Sequence, residues 1–101
     1  MSRRNYQDIS FQEFQQVKDN PGTIVVDVRE KWEFDEFNEG GINIPLSEIR
    51  EKRSLLEDFE NIIVICSNGT RSKVAAMDYC RVESWVDKQI FHVKGGILEV
   101  D

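Results

Sequence analysis

Two runs of β-branched residues constrain this chain more than any other feature: Thr23-Ile24-Val25-Val26-Asp27-Val28 and Asn61-Ile62-Ile63-Val64-Ile65-Cys66. Neither alternates polar with apolar residues. A strand with one solvated face shows that alternation, so both runs read as strands buried on both sides, the pattern of a parallel sheet covered by helices. A parallel pair needs a crossover, and helical patterns follow each run. At 101 residues, with no internal repeat and no Pro/Gly/Ser linker, residues 1–101 read as one domain.

Around these strands the pattern alternates. Ser10 with Glu13 makes a capping box for a helix over 11–19, Ile9 is placed to staple against Phe14, and Asn20-Pro21-Gly22 ends the helix. Residues 30–38 suggest a short helix whose Trp32, Phe34 and Phe37 read as core and rim packing. Gly40-Gly41 breaks it before a short strand at Ile42-Asn43-Ile44-Pro45. Ser47 looks like the N-cap of a helix to about Leu56, a further helix is expected from Ser72 to about Glu83, and Gln89 to Val93 reads as the last strand. Strands and helices in alternation predict an α/β domain with helices on both faces.

The charge balance narrows the partners. Thirteen Lys+Arg against nineteen Asp+Glu give a net charge of -6, which argues against nucleic acid or an anionic membrane as the main partner. No apolar run approaches the roughly 18 residues of a membrane span. Met1-Ser2-Arg3-Arg4-Asn5 is basic with no apolar stretch behind it, so it does not read as a secretory signal, and a cytoplasmic address is the expectation. Two cysteines at unrelated spacing and one histidine lack the partners of a metal site, so free thiols, no metal and no cofactor are expected.

The segment Cys66-Ser67-Asn68-Gly69-Thr70-Arg71-Ser72 lies between a buried strand and a helix. The carboxyl end of a parallel strand is where open α/β sheets bind ligands. Small polar residues curling around the sulfur bring backbone N–H groups to one point, Gly69 permits the turn, and the helix start with Arg71 adds positive potential. These features favour a thiolate, the nucleophilic form of cysteine. An isolated cysteine is more often a small buried hydrophobe, but a core cysteine has no use for this polar sequel.

The loop resembles that of the rhodanese family of sulfurtransferases. The likeness continues in Asp27-Val28-Arg29-Glu30 with Glu33-Phe34, in Asn43-Ile44-Pro45-Leu46, in Arg71-Ser72 with Ala75-Ala76, and in Lys94-Gly95-Gly96-Ile97. The resemblance implies a three-layer α/β/α fold around a central, mostly parallel five-stranded sheet. It also implies transfer of a sulfane sulfur from thiosulfate or a persulfide to a thiol or cyanide through a Cys66 persulfide. Ser67, Asn68, Gly69, Thr70 and Arg71 would bind the substrate, with Asp27, Arg29 and Ser72 in support. Phosphatase relatives place five residues between cysteine and arginine; four stand here, a ring suited to one sulfur atom. Ser67 occupies a position where the family commonly has Arg. Phe37-Asn38-Glu39 before Gly40-Gly41 looks like rhodanese domains serving ubiquitin-like sulfur carriers. At Leu98-Glu99-Val100-Asp101 the family's closing helix is expected to be short or absent.

Asp27 and Arg29 also fit a structural ion pair or a helix cap. Cys80 is expected to pack rather than to resolve a persulfide, and His92 is given no role. Residues 30–39 hold five acids and one base, a local charge of -4, while residues 66–75 hold Arg71 and Lys73 and no acid. An acidic face beside a cationic loop suggests a basic protein partner for sulfur relay, tested by reversing Glu33 and Glu36 together. A non-catalytic binding module that keeps the fold is the competing reading.

Overall fold

The structure, a computed structural model, describes residues 5–98. The readings made for Met1 to Arg4 and for Glu99 to Asp101 lie outside the described residues. Five strands form one sheet: β1 (Gln7–Ile9), β2 (Thr23–Asp27), β3 (Ile42–Asn43), β4 (Asn61–Ile65) and β5 (Gln89–Val93), in the order β1-β5-β4-β2-β3. All four pairings are parallel. Three helices, α1 (Phe11–Val17), α2 (Lys31–Glu36) and α3 (Thr70–Tyr79), connect them with three short 3-10 turns.

The two apolar runs occupy the middle of this sheet, and their lack of alternation has the expected cause. Along β4, Ile62 and Val64 face one core with α3, Tyr79 and Trp85, while Ile63 and Ile65 face a second core with Phe14 of α1. Both faces are therefore dry. The Ser10–Glu13 capping box starts α1 as expected: Glu13 N donates to Ser10 Oγ at 3.0 Å and Ser10 N to Glu13 Oε1 at 2.8 Å. Phe14 is wholly buried, in the same core as Ile9, and burial of such a side chain contributes about 2–3 kcal/mol.

Three expectations change. The segment after β3 is not one helix capped by Ser47; it forms 3-10 turns at Leu46–Glu48 and Arg53–Leu56. Pro45, not Ser47, stands at the cap, and the stretch buries Ile49 and Leu56 in the core with Val26 and Val64. The helix after Cys66 starts at Thr70 and ends at Tyr79, with a separate 3-10 turn at Glu83–Trp85. Finally, α2 contributes no buried residue: Trp32 is 64% exposed and Phe37 56% exposed. Trp32 and Phe34, two positions apart, point to different sides of the helix, and Phe37 falls past its end in extended backbone, so one packed face cannot take all three.

The strand order sets the site. From β2 the chain moves outward through α2 to β3, and from β4 it moves the other way through α3 to β5. Since β2 and β4 are neighbours, their carboxyl ends open a crevice where the connections part, the place at which α/β sheets bind ligands.

Candidate active site

Cys66 follows β4 directly, at the floor of that crevice, with no exposed surface. The chain then folds back so that its own donors meet the sulfur. Gly69 N donates to Cys66 Sγ at 3.2 Å, and Ser72 N does the same at 3.2 Å. The thiol donates to Ser72 Oγ at 3.3 Å. When the sulfur is ionised that last bond reverses, so a thiolate would accept from two amides and one hydroxyl.

The turn depends on Gly69, which caps α3 with φ +92°, a left-handed conformation that side chains resist. Asn68 Oδ1 accepts from Thr70 N at 3.0 Å and braces the same turn. The N–H groups of Ser67, Asn68 and Arg71 make no hydrogen bond to another described residue. The cradle is thus narrower than a ring of five amides. Gly69 and Ser72 hold the sulfur, Thr70 is diverted to Asn68, and Ser72, expected only in support, touches the nucleophile itself.

Arg71 does not stand free to meet a substrate. Its Nη1 donates to Glu33 Oε1 at 2.7 Å and its Nη2 to Glu33 Oε2 at 3.1 Å, with Ser67 Oγ 3.4 Å from Nη2. Glu33 Oε1 also accepts from Glu30 N at 2.9 Å, which ties the carboxylate to the first turn of α2. The Arg71 hydrogen bond holds the Glu33 carboxyl well below its usual 4.5, at about 2, against the opposing effect of burial. Glu33 therefore belongs to the loop rather than to a free acidic face. Its place after the Asp27-Val28-Arg29 segment was visible in the sequence, but not its reach across 38 positions.

Asp27 and Arg29 form the buried ion pair that was one of their two readings. Asp27 is wholly buried and accepts from Arg29 N, Nε and Nη2, the last at 2.8 Å. Arg29 Nη2 also donates to the Phe37 carbonyl at 2.6 Å, so the pair ties the C-terminal cap of α2 back to the end of β2. No hydrogen bond among the described residues joins either side chain to the Cys66 loop.

Two supports escaped the sequence reading. Ile97 N donates to the Cys66 carbonyl at 2.9 Å and Leu98 N to the Ser67 carbonyl at 2.8 Å. The loop's first peptides thus hydrogen-bond to the turn after β5. Gly96, with φ +69°, lies so close that a Cβ there would fall 2.4 Å from the Cys66 oxygen. The other is His92, buried on β5, whose Nε2 lies 3.0 Å from the Gly69 carbonyl. Cys80 caps the far end of α3, ten residues and about 15 Å along the helix from Thr70, and packs in the core. Among the described residues no helix is long and apolar enough to cross a membrane.

Comparison with known proteins agrees with this fold. A rhodanese-related protein of Thermoplasma volcanium has a similar structure, with a TM-score of 0.70 and 31% identity over 91% of this chain and 87% of that one. A single-domain sulfurtransferase of Saccharomyces cerevisiae shares the fold, at a TM-score of 0.68 and 22% identity over 98% and 91% of the two chains. In sequence the chain is 31% identical over 91 residues to a tRNA uridine(34) hydroxylase of Photorhabdus laumondii, covering 83% of this chain and 25% of that protein. It spans about a quarter of the length of the curated relatives it matches. The model of the Rhodanese-like domain matches residues 10–101, leaving only the segment through β1 outside, and the chain belongs to that family.

Proposed function

We propose that this domain is a sulfurtransferase that carries a sulfane sulfur on Cys66. The observation that supports it best is the convergence of Gly69 N, Ser72 N and Ser72 Oγ on one sulfur at the crevice floor. Preorganised donors of this kind stabilise an anionic sulfur without moving during the reaction.

With thiosulfate as donor, the Cys66 thiolate attacks the outer sulfur. The new S–S bond forms as the old one breaks, and sulfite leaves with the electron pair. The terminal sulfur of the resulting persulfide carries the negative charge, and the unengaged N–H groups of Ser67, Asn68 and Arg71 are the donors available to it. An acceptor thiolate or cyanide then attacks that sulfur, and the Cys66 thiolate departs. Charge is conserved at each step: each nucleophile attacks as its anion, and each leaving group departs with the electron pair of the broken bond.

Glu33 neutralises Arg71, and Ser67 supplies no charge, so little cationic potential is left for a small dianion such as thiosulfate. A protein persulfide is the donor this balance suits better. The partner we propose is basic, drawn to the exposed acids Asp35 and Glu36 of α2 and to the exposed rings of Trp32 and Phe37. The setting proposed is cytoplasmic, where thiols stay reduced.

Incubation with thiosulfate or a low-molecular-weight persulfide, followed by mass spectrometry, should add one sulfur to Cys66 that cyanide removes. Cys66→Ser should abolish the transfer and Cys80→Ser should leave it. No added sulfur with either donor would favour the non-catalytic binding module instead.

A further inference from the structure

His92 is the single histidine of the sequence, and the sulfur-transfer chemistry gives it no task. It is 5% exposed and sits on β5 in register with Asp8 of β1. Its Nδ1 lies 2.8 Å from Asp8 Oδ1, and its Nε2 lies 3.0 Å from the Gly69 carbonyl oxygen. An ionised carboxylate and a carbonyl are both acceptors only, so the ring satisfies the two together only when both nitrogens carry protons. The same Gly69 carbonyl accepts from Lys73 N at 3.1 Å, the first bond of α3. The ring therefore occupies the remaining lone pair of the residue whose own N–H is aimed at Cys66 Sγ.

We propose that His92 is a positioning residue for the Cys66 nucleophile. With protons on both ring nitrogens it bridges Asp8 and Gly69 and pins the left-handed turn that aims the Gly69 N–H at the sulfur; with one proton gone it releases that turn. This deepens the sulfur-transfer reading and rests on it for the identity of the nucleophile.

The release follows from tautomer choice. A neutral imidazole keeps one N–H, and beside an ionised Asp8 it keeps it on Nδ1, because a lone pair facing a carboxylate is repelled. Nε2 then presents a lone pair to the Gly69 carbonyl, and a bond becomes a repulsion. The lost proton goes to water. The surroundings offer no competing partner among the described residues. From the first strand's segment come Asp8 and the edge of the Tyr6 ring, 5.5 Å between centroids. β4 places Val64 in register beside the histidine, and α3 buries Ser72, Ala75, Ala76, Tyr79 and Asp78, the last paired with Arg50 and Arg53. Beyond the Gly69 peptide lies the Cys66 sulfur.

Asp8→Asn separates this role from simple packing. The Asp8 side chain is 52% exposed, so the change is mild for the fold, and an amide N–H at that place can donate to Nδ1. The proton then stays on Nε2 in the neutral ring, and Gly69 remains held. With the full chain labelled with ¹⁵N, the imidazole nitrogens and the Gly69 amide are followed through a pH titration. In the unmodified protein the Gly69 amide should move with the same midpoint as the ring. In Asp8→Asn the ring should still titrate while Gly69 stays still. Loss of one such hydrogen bond in His92→Gln should slow alkylation of Cys66 by iodoacetamide about tenfold. A Gly69 amide that ignores the ring in the unmodified protein, or follows it equally in Asp8→Asn, overturns the proposal even if His92→Gln fails to fold. Persulfide formation is measured in parallel with thiosulfate and with a low-molecular-weight persulfide. Its absence with both donors alongside an intact Gly69 response would sink the sulfur-transfer reading and still support the positioning role.

Discussion

Glu33 on α2 and Arg71 at the start of α3 meet across the crevice in a two-pronged ion pair, 2.7 Å and 3.1 Å between heavy atoms. They join the segments that leave β2 and β4 in opposite directions, so the pair ties α2 to the loop that holds Cys66.

The pair makes stability depend on pH in a stated direction. The Glu33 carboxyl ionises at about 2 in the fold against 4.5 without its partner, so the stabilisation is fully present above pH 4.5 and is lost as pH falls toward 2. For a partly solvated pair the contribution is about 1–2 kcal/mol. Urea unfolding at pH 7 should show Glu33→Gln weaker by that amount, with the two proteins converging as the pH approaches 2. A gap unchanged by acid would mean that the glutamate acts by packing rather than charge.

Ser72 offers a test of the cradle that spares the fold. Ser72→Ala removes the hydroxyl 3.3 Å from Cys66 Sγ and keeps the backbone donor at 3.2 Å. Loss of a hydrogen bond that strengthens as the sulfur ionises should cost about tenfold in sulfur transfer. Thermal melting should shift by only a few degrees, since the change deletes one oxygen atom. Full activity in Ser72→Ala would show that the two amides suffice.

Gly96 carries a second constraint. A Cβ there would lie 2.4 Å from the Cys66 carbonyl and 2.6 Å from that of Ser67, both backbone atoms unable to yield independently. With φ at +69° the substitution is also strained locally. Gly96→Ala should lower stability by about 2–4 kcal/mol in chemical denaturation and slow Cys66 alkylation by displacing the loop. A stable variant with normal alkylation would show that the turn after β5 is free to move.

The parts of the fold that the sequence announced are those with a local physical signature. Strands β2 and β4 lie between two dry layers and cannot hide their unbroken β-branched runs, and the Ser10–Glu13 box is a four-residue event. Strand β1 left no such trace. It has three residues, two of them exposed, and it is a strand because β5 pairs with it. The 3-10 turns between β3 and β4 read as one helix because Ser47 resembles a cap, whereas Pro45 starts the turn. At the site, Cys66 and Gly69 were legible from the strand, turn and helix order. His92 was not, because its partners Asp8 and Gly69 are 84 and 23 positions away. Glu33 was assigned to a charged face by its neighbours in sequence, and only the third dimension shows that Arg71 claims it.

A second ion cluster behaves in the same way. Asp78 on α3 accepts from Arg50 at 2.7 Å and from Arg53 at 3.1 Å, pinning the 3-10 turns to the helix. Burial works against the Asp78 carboxylate, and the hydrogen bonds from both arginines outweigh it, holding its pKa below the usual range. Asp78→Asn should destabilise the domain by about 1–2 kcal/mol at neutral pH, because it takes the charge from a buried acceptor that holds both arginines. That loss should shrink as pH falls below the usual carboxylate range of 3.8, where the unmodified Asp78 also loses its charge. Sulfur transfer per folded molecule should be unchanged.

The last prediction divides two acids that look alike in the sequence. Glu36 is exposed at the end of α2, whereas the Glu33 side chain is only 17% exposed and bound to Arg71. Reversing both together therefore confounds docking with loop geometry. Glu33→Lys would place two cations in contact at the crevice edge and should reduce thiosulfate turnover by tenfold or more, about 1.4 kcal/mol or greater. Glu36→Lys should leave thiosulfate turnover within about twofold, because exposed charges are screened beyond roughly 8–10 Å. If Asp35 and Glu36 do draw a basic donor, Glu36→Lys should instead slow sulfur acceptance from a persulfidated, lysine-rich peptide at low salt, and added salt should erase the difference. Equal turnover losses with thiosulfate in the two variants would count against the separation of site from docking face.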